Sequence, residues 1–494
     1  MRASNRLVPF LGRWGGILLA VFLVYYIIRA PISLAVSSSH LNAAAKDSKQ
    51  NDPAADPKGS RDGNGPTHGP EQEPKYVKQF KSRLPRPKPV DDHFPWLTYN
   101  GHKTKGAPIP PNNRPPLPHV DEATPLLVGF THNWPMLLQC VSSYIAAGWP
   151  PSDIYVVENT GVFSANQRGD LSLQNQFFLN HTALHQLGVN VLMTPTLFSF
   201  AQLQNFFLHT ALQRDWRNYF WTHQDVIAFS DEDVRKKDRD HDWDHDPFAT
   251  MYERSIGLLR YLNGPEMPPW ATHFFSYDHF TLVNRDAYLD VGAWDTHIPF
   301  YAADCDMYLR LHWAGYWQPQ SESGLIFDVN RPLQNIGSLF RIPGAHARFE
   351  GDPVFAGHDQ KRPHREAELK REEDMYSWVE KEGETYTHLI EVAGRMQELK
   401  WADTETAGSV WKDHQFGGEG EPFYRSPEGF KSGIEITADA GRRVFAEKWG
   451  HRGCDLLELG IEGKDVWKLE RDWDITKSPG SVGGNWGKDW SKEF

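Results

Sequence analysis

The sequence predicts an α/β domain with a largely parallel sheet and helices on both faces, which follows a membrane-spanning segment and a proline-rich stem. Three observations predict this arrangement. Short apolar runs alternate with helix-periodic runs from residue 121 onward, one long uncharged run lies near the N-terminus, and 15 prolines fall within residues 37–120. At 494 residues, the chain is long enough for one large domain with appendages or for two or three ordinary domains.

Composition excludes several classes of protein. Lysine and arginine number 52 against 64 acids, so the formal charge is −12, and a nucleic-acid partner is not expected because nonspecific binding needs a basic face. Aromatic residues make up 13 %, which argues against a disordered chain. The three cysteines, Cys140, Cys305 and Cys454, allow at most one internal bridge and exclude both a disulfide-stapled module and a C-x-x-C zinc site.

The N-terminus predicts a single membrane anchor. Residues 14–36 are apolar except for Arg29, and a helix needs roughly 20 apolar residues to cross the hydrocarbon core. Three arginines and no acid lie in residues 1–13, so the positive-inside rule places this tail in the cytosol. The protein is then a single-pass type II membrane protein. A cleaved signal peptide is the alternative; both place the bulk of the chain in the lumen or outside the cell.

Residues 37–120 are predicted to form a stem or linker. Proline-rich chain lacks backbone donors and stays extended, and few apolar residues interleave here. We expect residues 91–120 to lie along the surface of the folded domain. A spacer is the simpler interpretation, and a ligand for a proline-recognition module is the alternative.

The main folded domain is expected over residues 121–345, with a C-terminal extension over 346–494. Buried parallel strands read as short apolar runs, whereas helices show three-to-four spacing. The predicted strands are 124–130, 153–157, 190–193 and one opening at 219–221, and the predicted helices include 135–148 and 200–216. Strands that alternate with helices imply a largely parallel sheet.

Polar residues follow three of the predicted strands. Such sheets bind ligands at the carboxyl ends of their strands, so these residues are the first candidates for a site. Glu158 and Asn159 end the second strand and offer acceptors for a nucleotide base edge and ribose hydroxyls. The alternative is that they are ordinary turn formers.

The fourth strand end is a candidate metal site. His223 and Asp225 lie two residues apart, so on an extended chain both side chains point the same way. An imidazole and a carboxylate suit Mn²⁺ or Mg²⁺ that also binds phosphates. The alternative is that His223 makes a hydrogen bond at a sheet edge.

Two further acids flank a cysteine where a later helix begins. Asp304 and Asp306 precede a helical run, and carboxylates are favoured at helix N-termini by the dipole. Each is then a candidate catalytic carboxylate, or simply a helix cap.

The order of these parts resembles a glycosyltransferase of the GT-A type, most similar to the inverting family 2 group. The motifs that carry the resemblance lie within residues 124–330: Gly292-Ala293-Trp294-Asp295, then Ala303-Asp304-Cys305-Asp306-Met307, then Arg310, then Gly315-Tyr316. His223-Gln224-Asp225 stands where the family has Asp-x-Asp, and Ala303 replaces the glutamate before Asp304. The processive Gln-x-x-Arg-Trp signature is absent from the sequence.

The resemblance implies a chemistry. A UDP- or GDP-sugar would bind with its base near His132, Glu158 and Asn159, and Asp225, with His223, would hold a divalent cation at the diphosphate. Asp304 would match the family's general base and activate a hydroxyl of a glycan or glycoconjugate acceptor, giving inversion by a single displacement. A non-catalytic lumenal binding or scaffold protein on a degenerate transferase fold is the alternative function.

Two aromatic residues and one asparagine complete the candidate residues. Trp294 and Trp313 lie near the expected base, and flat aromatic faces suit the sugar rings of an acceptor; core packing is the alternative for each. Asn180 begins the only N-glycosylation sequon, which a lumenal chain would use.

Overall fold

A computed structural model describes residues 89–101, 103, 106–233, 248–354, 374, 377–402, 417–422 and 426–473. The predicted cytosolic tail, the membrane segment at 14–36 and the stem up to residue 88 lie outside the described residues. Within the described ranges, no helix has the length and apolar character that a bilayer crossing requires.

A six-stranded sheet forms the centre of the domain and confirms the predicted α/β class. Its strand order is β3-β2-β1-β4-β7-β6. In that order, the first four strands run parallel to one another. Strand β7 pairs antiparallel with β4, and β6 pairs antiparallel with β7. A separate antiparallel pair joins β5 to β8. The strand bounds are β1 Leu126–Phe130, β2 Ile154–Glu158, β3 Asn190–Met193, β4 Asn218–Thr222, β5 Val226–Phe229, β6 Thr272–Phe274, β7 Phe280–Asn284 and β8 Leu325–Asp328.

Ten α-helices with defined bounds surround the strands in the described ranges, and residues 377–382 are also helical. The ten helices are α1 Pro95–Asn100, α2 Trp134–Ala146, α3 Phe163–Arg168, α4 His181–Leu187, α5 Phe200–Gln213, α6 Met251–Leu262, α7 Arg285–Asp290, α8 Ala303–Trp313, α9 Tyr386–Ala402 and α10 Pro427–Trp449. Local sequence fixes several of their ends. Reciprocal capping boxes start α5 at Ser199 and α6 at Thr250, and Gly450 ends α10 in the left-handed conformation.

The sheet separates two hydrophobic cores, as predicted for helices on both faces. Alternate side chains of β1 enter opposite cores: Leu126, Val128 and Phe130 join one, and Leu127 joins the other. Helices α2, α6 and α9 pack in the first core, and α5, α7, α8 and α10 pack in the second. Gly129 permits the close approach of α5, because a Cβ there would lie 2.6 Å from Leu203.

The C-terminal extension is part of both cores. Leu389 and Met396 of α9 are buried in the first core, and Phe445 and Trp449 of α10 are buried in the second. A disulfide joins Cys305 of α8 to Cys454, so the single internal bridge that three cysteines allow is present. The extension therefore supplies structure to the region that carries the family-like motifs.

The chain just before the domain also packs on it. Phe94 and Leu97, the latter in helix α1, are 1 % and 2 % exposed in the first core, and Phe94 stacks on Phe340 with ring centroids 5.5 Å apart. The ring of His93 lies 2.6 Å from the carbonyl oxygen of Leu333. This end of the predicted stem is therefore anchored to the domain.

Candidate active site

The carboxyl ends of the parallel strands bring the predicted residues to one edge of the sheet. His132 follows β1, Glu158 ends β2, and His223 follows β4; these three strands are neighbours in the sheet. The Gln224 side chain donates a hydrogen bond to the carbonyl oxygen of His132 over 2.8 Å, which ties two of the strand ends together.

His223 lies between two carboxylates. Its Nδ1 is 3.7 Å from Oδ1 of Asp225, and its Nε2 is 3.8 Å from Oδ2 of Asp278. Burial disfavours the charged ring, but Asp225, Asp278 and the more distant Asp328 outweigh that effect and raise the pKa of His223 to about 9. The imidazole is therefore a cation at neutral pH, at the position where the related family has an acid.

Asp225 is held by a lysine that the sequence analysis did not single out. Lys400 of α9 donates from Nζ to Oδ2 of Asp225 over 2.9 Å and to Oδ1 of Asp328 over 2.5 Å. Asp225 is buried, which opposes its ionisation, yet Lys400 and His223 hold the pKa of Asp225 well below its usual range. The carboxylate is consequently ionised and paired on both oxygens.

Asp304 lies in the first turn of α8 and faces the turn between β6 and β7. The hydroxyl of Tyr277 donates a hydrogen bond to Oδ2 of Asp304 over 3.1 Å. Burial and the neighbouring carboxylate of Asp278 raise the pKa of Asp304 above its ordinary value. A carboxylate with a raised pKa is better matched to accepting a proton near neutral pH.

Asp278 connects the two halves of the site. It lies 3.8 Å from His223 and interacts electrostatically with Asp304. Asp225, His223, Asp278 and Asp304 therefore form one continuous group that runs from the end of β4 to the start of α8. This is the juxtaposition that the sequence-based mechanism requires.

The turn that carries Tyr277 has an unusual backbone. Tyr277 has φ +44°, a left-handed conformation that bulky residues rarely adopt. Its ring is 47 % exposed and stacks against Phe274, with ring centroids 5.8 Å apart. Strained residues of this kind cluster at functional sites, and here the strain presents the phenol to Asp304.

Asp306 occupies a different environment from Asp304. It is fully buried and accepts from Nε of Arg310 at 2.8 Å, from Nζ of Lys448 at 2.7 Å and from the indole of Trp449 at 3.1 Å. A carboxylate enclosed in this way has no access to a substrate hydroxyl. Its contacts join α8 to α10, which is a structural role rather than the predicted catalytic one.

The side chain of Glu158 is engaged within the fold. Its Oε1 accepts from Thr160 and Asn166, at 3.0 and 2.7 Å, and its Oε2 lies 2.7 Å from Nε2 of His181. The residue is 1 % exposed. These contacts fix the loop after β2 and engage both carboxylate oxygens within the fold, so the predicted nucleotide contact stays a prediction.

Asn159 has a similar internal role. Its Nδ2 donates to the carbonyl oxygen of Phe198 over 2.9 Å, and its Oδ1 accepts from the Phe198 amide over 2.6 Å. The side chain thus holds the chain between β3 and α5 in place, in the manner of a turn former. His132 is also buried, at 5 % exposure, with its ring edge-on to Phe430.

The two tryptophans predicted to contact the acceptor lie in the second core. Trp294 is 2 % exposed and packs edge-on against Phe200, 5.3 Å between ring centroids. Trp313 is half-buried and packs against Trp449 at 4.9 Å. Both positions are those of core residues. The exposed aromatic ring beside Asp304 is instead Tyr277.

Asn180 lies at the N-terminus of α4. Its side-chain oxygen accepts from the amide of Ala183 over 2.9 Å, so it caps the helix. The residue is half-buried. The predicted glycosylation at this position stays a prediction.

The residues at the fourth strand end do not fit a divalent cation. Among the described residues, no group of three or more histidine, cysteine or acidic side chains has the geometry to hold a metal ion. Asp225 already accepts from Lys400 through Oδ2, and that ammonium would repel a second cation.

The sequence held few signals for the residues that complete the site. Asp278 lies in a short turn between two antiparallel strands, and Asp328 ends a strand that pairs with β5 outside the main sheet. Lys400 is 175 residues from Asp225. A second acid at the end of an apolar strand-like run, Leu325 to Asp328, was the one detectable signal.

No protein-family model and no curated protein matches the sequence. Solved structures show a likeness in fold. A mannosyltransferase from Pyrobaculum calidifontis, in complex with GDP-Man and Mn²⁺, is 12 % identical over 70 % of this chain and 91 % of that chain, with a TM-score of 0.28. TarS of S. aureus is 9 % identical over 66 % of this chain and 56 % of that chain, and GalNAc-T7 with UDP, GalNAc and Mn²⁺ is 10 % identical over 53 % and 57 %, both with a TM-score of 0.28. This chain thus spans a little over half of the last two.

Proposed function

We propose that the protein is a nucleotide-sugar-dependent glycosyltransferase that moves a sugar from a UDP- or GDP-sugar to a hydroxyl of a glycan, glycoprotein or glycolipid. One observation carries the proposal. The proton-accepting candidate, Asp304, and the strand-end pair, His223 and Asp225, belong to a single group of side chains joined through Asp278. A displacement at a sugar carbon needs a base on one side and charge compensation for the leaving group on the other.

The transfer would proceed as one displacement with inversion. The acceptor hydroxyl oxygen forms a bond to the anomeric carbon while the bond from that carbon to the diphosphate oxygen breaks. The hydroxyl proton passes to the carboxylate of Asp304, and the nucleoside diphosphate leaves with the electron pair of the broken bond. No oxidant, reductant or further reactant is needed.

The surroundings of Asp304 support its role as the base. The carboxylate is half-buried, and burial together with Asp278 raises its pKa, so it binds a proton more readily than an ordinary aspartate. The hydrogen bond from Tyr277 fixes the orientation of the carboxylate.

The donor would lie along the carboxyl ends of β1, β2 and β4. Glu158 and Asn159 shape this edge by holding its loops, and His223 and Lys400 offset the carboxylates that a diphosphate would otherwise meet there. Since the local residues do not fit a metal ion, the proposed mechanism assigns no step to Mn²⁺ or Mg²⁺.

We propose the secretory pathway, and specifically a Golgi membrane, as the location. A single anchor over residues 14–36 with its short tail in the cytosol would leave the domain in the lumen. The disulfide between Cys305 and Cys454 supports this proposal, because disulfides form and persist in oxidising compartments.

A donor screen tests the proposed function. The full chain is incubated with a panel of UDP- and GDP-sugars, and released nucleoside diphosphate is measured with and without added glycan acceptors. Asp304→Asn is expected to lower turnover of the active donor by about 10²–10⁴-fold with unchanged thermal unfolding, as loss of a general base does.

Asp290→Asn provides the matched control, because Asp290 also accepts a tyrosine hydroxyl at 3.1 Å but lies at the end of α7. Its turnover should match that of the wild type. Absence of turnover with every donor would reject the proposal and favour the non-catalytic binding protein. The hydrogen bonds that Glu158 and Asn159 make within the fold support that alternative, because both residues are the predicted nucleotide contacts.

A further inference from the structure

The ammonium group of Lys400 is enclosed by oxygen atoms. It donates to Asp225 Oδ2 at 2.9 Å, to Asp328 Oδ1 at 2.5 Å and to the carbonyl oxygen of Val329 at 3.4 Å. The lysine side chain is 4 % exposed. An ammonium has three donors, so these three acceptors satisfy it completely.

The groups around this ammonium are the types that bind divalent metals. Asp225 and Asp328 come from the adjoining ends of the β5–β8 pair, where Val226 is in register with Asp328. His223 lies 3.7 Å from Asp225, and His279 lies 3.8 Å from Asp328. Lys400 Nζ thus bridges two carboxylates, each of which has an imidazole nearby, and both side-chain types are metal ligands.

Helix α9 places the lysine there by more than one contact. One turn before Lys400, the side chain of Gln397 accepts a hydrogen bond from the backbone amide of Asp328 over 2.9 Å. Met396 and Val392 of the same helix are buried in the first core. The position of the ammonium is thus determined by the packing of a helix, and not by a flexible surface side chain.

We infer that Lys400 is the resident cation of this site and fills the position that a divalent metal would take. Resting on the proposed function, the inference extends to catalysis: sugar transfer would not require Mn²⁺ or Mg²⁺. Lys400 is then a positioning residue. It neutralises Asp225 and Asp328, so that a diphosphate meets fewer uncompensated carboxylates at the edge of the sheet.

The first test is Mn²⁺ binding, measured by the loss of the free-ion EPR signal on titration into the full chain, purified without a histidine tag. Wild type and Asp328→Asn are expected to give the same binding curve, because the centre holds no metal in either. Mn²⁺ binding elsewhere in the chain contributes equally to both. A wild-type site that Asp328→Asn weakens about tenfold or more would overturn the inference.

The second test removes the ammonium. Lys400→Met is expected to gain a Mn²⁺ site, which Asp328→Asn in the same background abolishes. Lys448→Met is the matched control, because Lys448 also bridges two aspartates, Asp295 and Asp306, at 2.7 Å each. Arg310 still holds Asp306 in that variant, so no site should appear. A folded Lys400→Met without added Mn²⁺ affinity would contradict the proposed ligand set.

Should Lys400→Met not fold, the wild-type comparison with Asp328→Asn still decides the inference. Lys400→Arg, which retains the positive charge, should remain as insensitive to Mn²⁺ as the wild type. The two proposals also fail separately. Turnover that EDTA abolishes and Mn²⁺ restores would uphold the transferase and reject the lysine as its cation. Absence of turnover, together with a Mn²⁺ site that appears in Lys400→Met and not in the wild type, would reject the transferase and uphold Lys400 as the resident cation.

Discussion

The hydroxyl of Tyr277 donates a hydrogen bond to Oδ2 of Asp304 over 3.1 Å, from a turn whose backbone is held at positive φ. The phenol comes from the antiparallel edge of the sheet, and the carboxylate comes from the first turn of α8. A hydrogen bond to an ionised carboxylate favours that form and lowers its pKa, whereas burial and Asp278 raise the pKa of Asp304. Tyr277 therefore opposes the rise in the pKa of the proposed base, Asp304.

Tyr277→Phe is expected to shift the pH dependence of the transfer. Without the hydroxyl, the pKa of Asp304 rises further, so the acidic limb of the profile of kcat/KM against pH moves to higher pH. Activity at low pH falls, while activity well above the limb changes little. The measurement is donor turnover between pH 4 and 8 with the active donor and its acceptor, in the range where carboxyl groups of this kind titrate.

Tyr316→Phe supplies the comparison, because the hydroxyl of Tyr316 donates to Asp290 at the same 3.1 Å outside the site. Its profile should overlay that of the wild type. An unmoved acidic limb in Tyr277→Phe would show that Asp304 is not the group whose titration the profile reports.

The residues at the carboxyl edge of the parallel sheet could be predicted, because each follows a strand that its local sequence identifies. Short apolar runs mark β1, β2 and β4, and parallel strands place their carboxyl ends together, so His132, Glu158 and His223 are predicted to lie at one edge. Which of their polar atoms remain for a ligand was not predictable. Glu158 receives its partners from Asn166 and His181, and no pattern in the sequence marks those contacts.

The remainder of the site depends on pairings distant in sequence. Asp278 reaches His223 through an antiparallel turn, and Lys400 reaches Asp225 from a helix 175 residues away. The spacing of Asp304 and Asp306 likewise placed both acids in the first turn of one helix, yet that helix turns one toward the site and the other into the core. Only the packing of α10 against α8 determines which acid is enclosed.

Asp306→Asn is expected to destabilise the protein by about 3–5 kcal/mol, because it removes the buried carboxylate that pairs with Arg310 and leaves Lys448 with Asp295 alone. The free energy of unfolding from a denaturant titration measures the effect. Asp439→Asn is the matched control: Asp439 also pairs with an arginine four residues later, Arg443, but that arginine is 58 % exposed. This surface pair should contribute no more than about 1 kcal/mol.

If Asp306→Asn and Asp439→Asn lose the same small amount of stability, the enclosed role of Asp306 is wrong. Loss of activity in Asp306→Asn at full stability would return Asp306 to the catalytic residues.

The charge of His223 is expected to make stability depend on pH. Its pKa is about 9 in the folded protein and 6.5 ordinarily, so folding favours the protonated ring. The stabilisation is fully present below pH 6.5 and is lost as pH rises through about 9. In His223→Gln this contribution is absent. The difference in unfolding free energy between the two proteins should therefore shrink by at most about 3 kcal/mol from pH 6 to pH 10.

Urea titrations at a series of pH values measure that difference, and groups common to both proteins cancel. His185→Gln serves as a control, since His185 lies in the last turn of α4, away from the acids of the site. A difference that stays constant across the range, or grows with pH, would show that His223 is neutral in the folded protein.

The disulfide between Cys305 and Cys454 closes 149 residues and joins the helix of Asp304 to the chain after α10. Its loss is expected to reduce the free energy of unfolding by about 2–5 kcal/mol, chiefly because the unfolded chain regains freedom. The fold should survive, since Lys448 and Trp449 still hold Asp306. Unfolding is measured by intrinsic fluorescence with and without reductant, beside the Cys305→Ala/Cys454→Ala variant. That variant should match the reduced wild type and ignore reductant, because the remaining Cys140 is free and buried. If reductant does not change the unfolding of the wild type and the wild type is more stable than the double variant, the bridge resists reduction. If the wild type with reductant, the wild type without reductant and the double variant are equally stable, the bridge does not form.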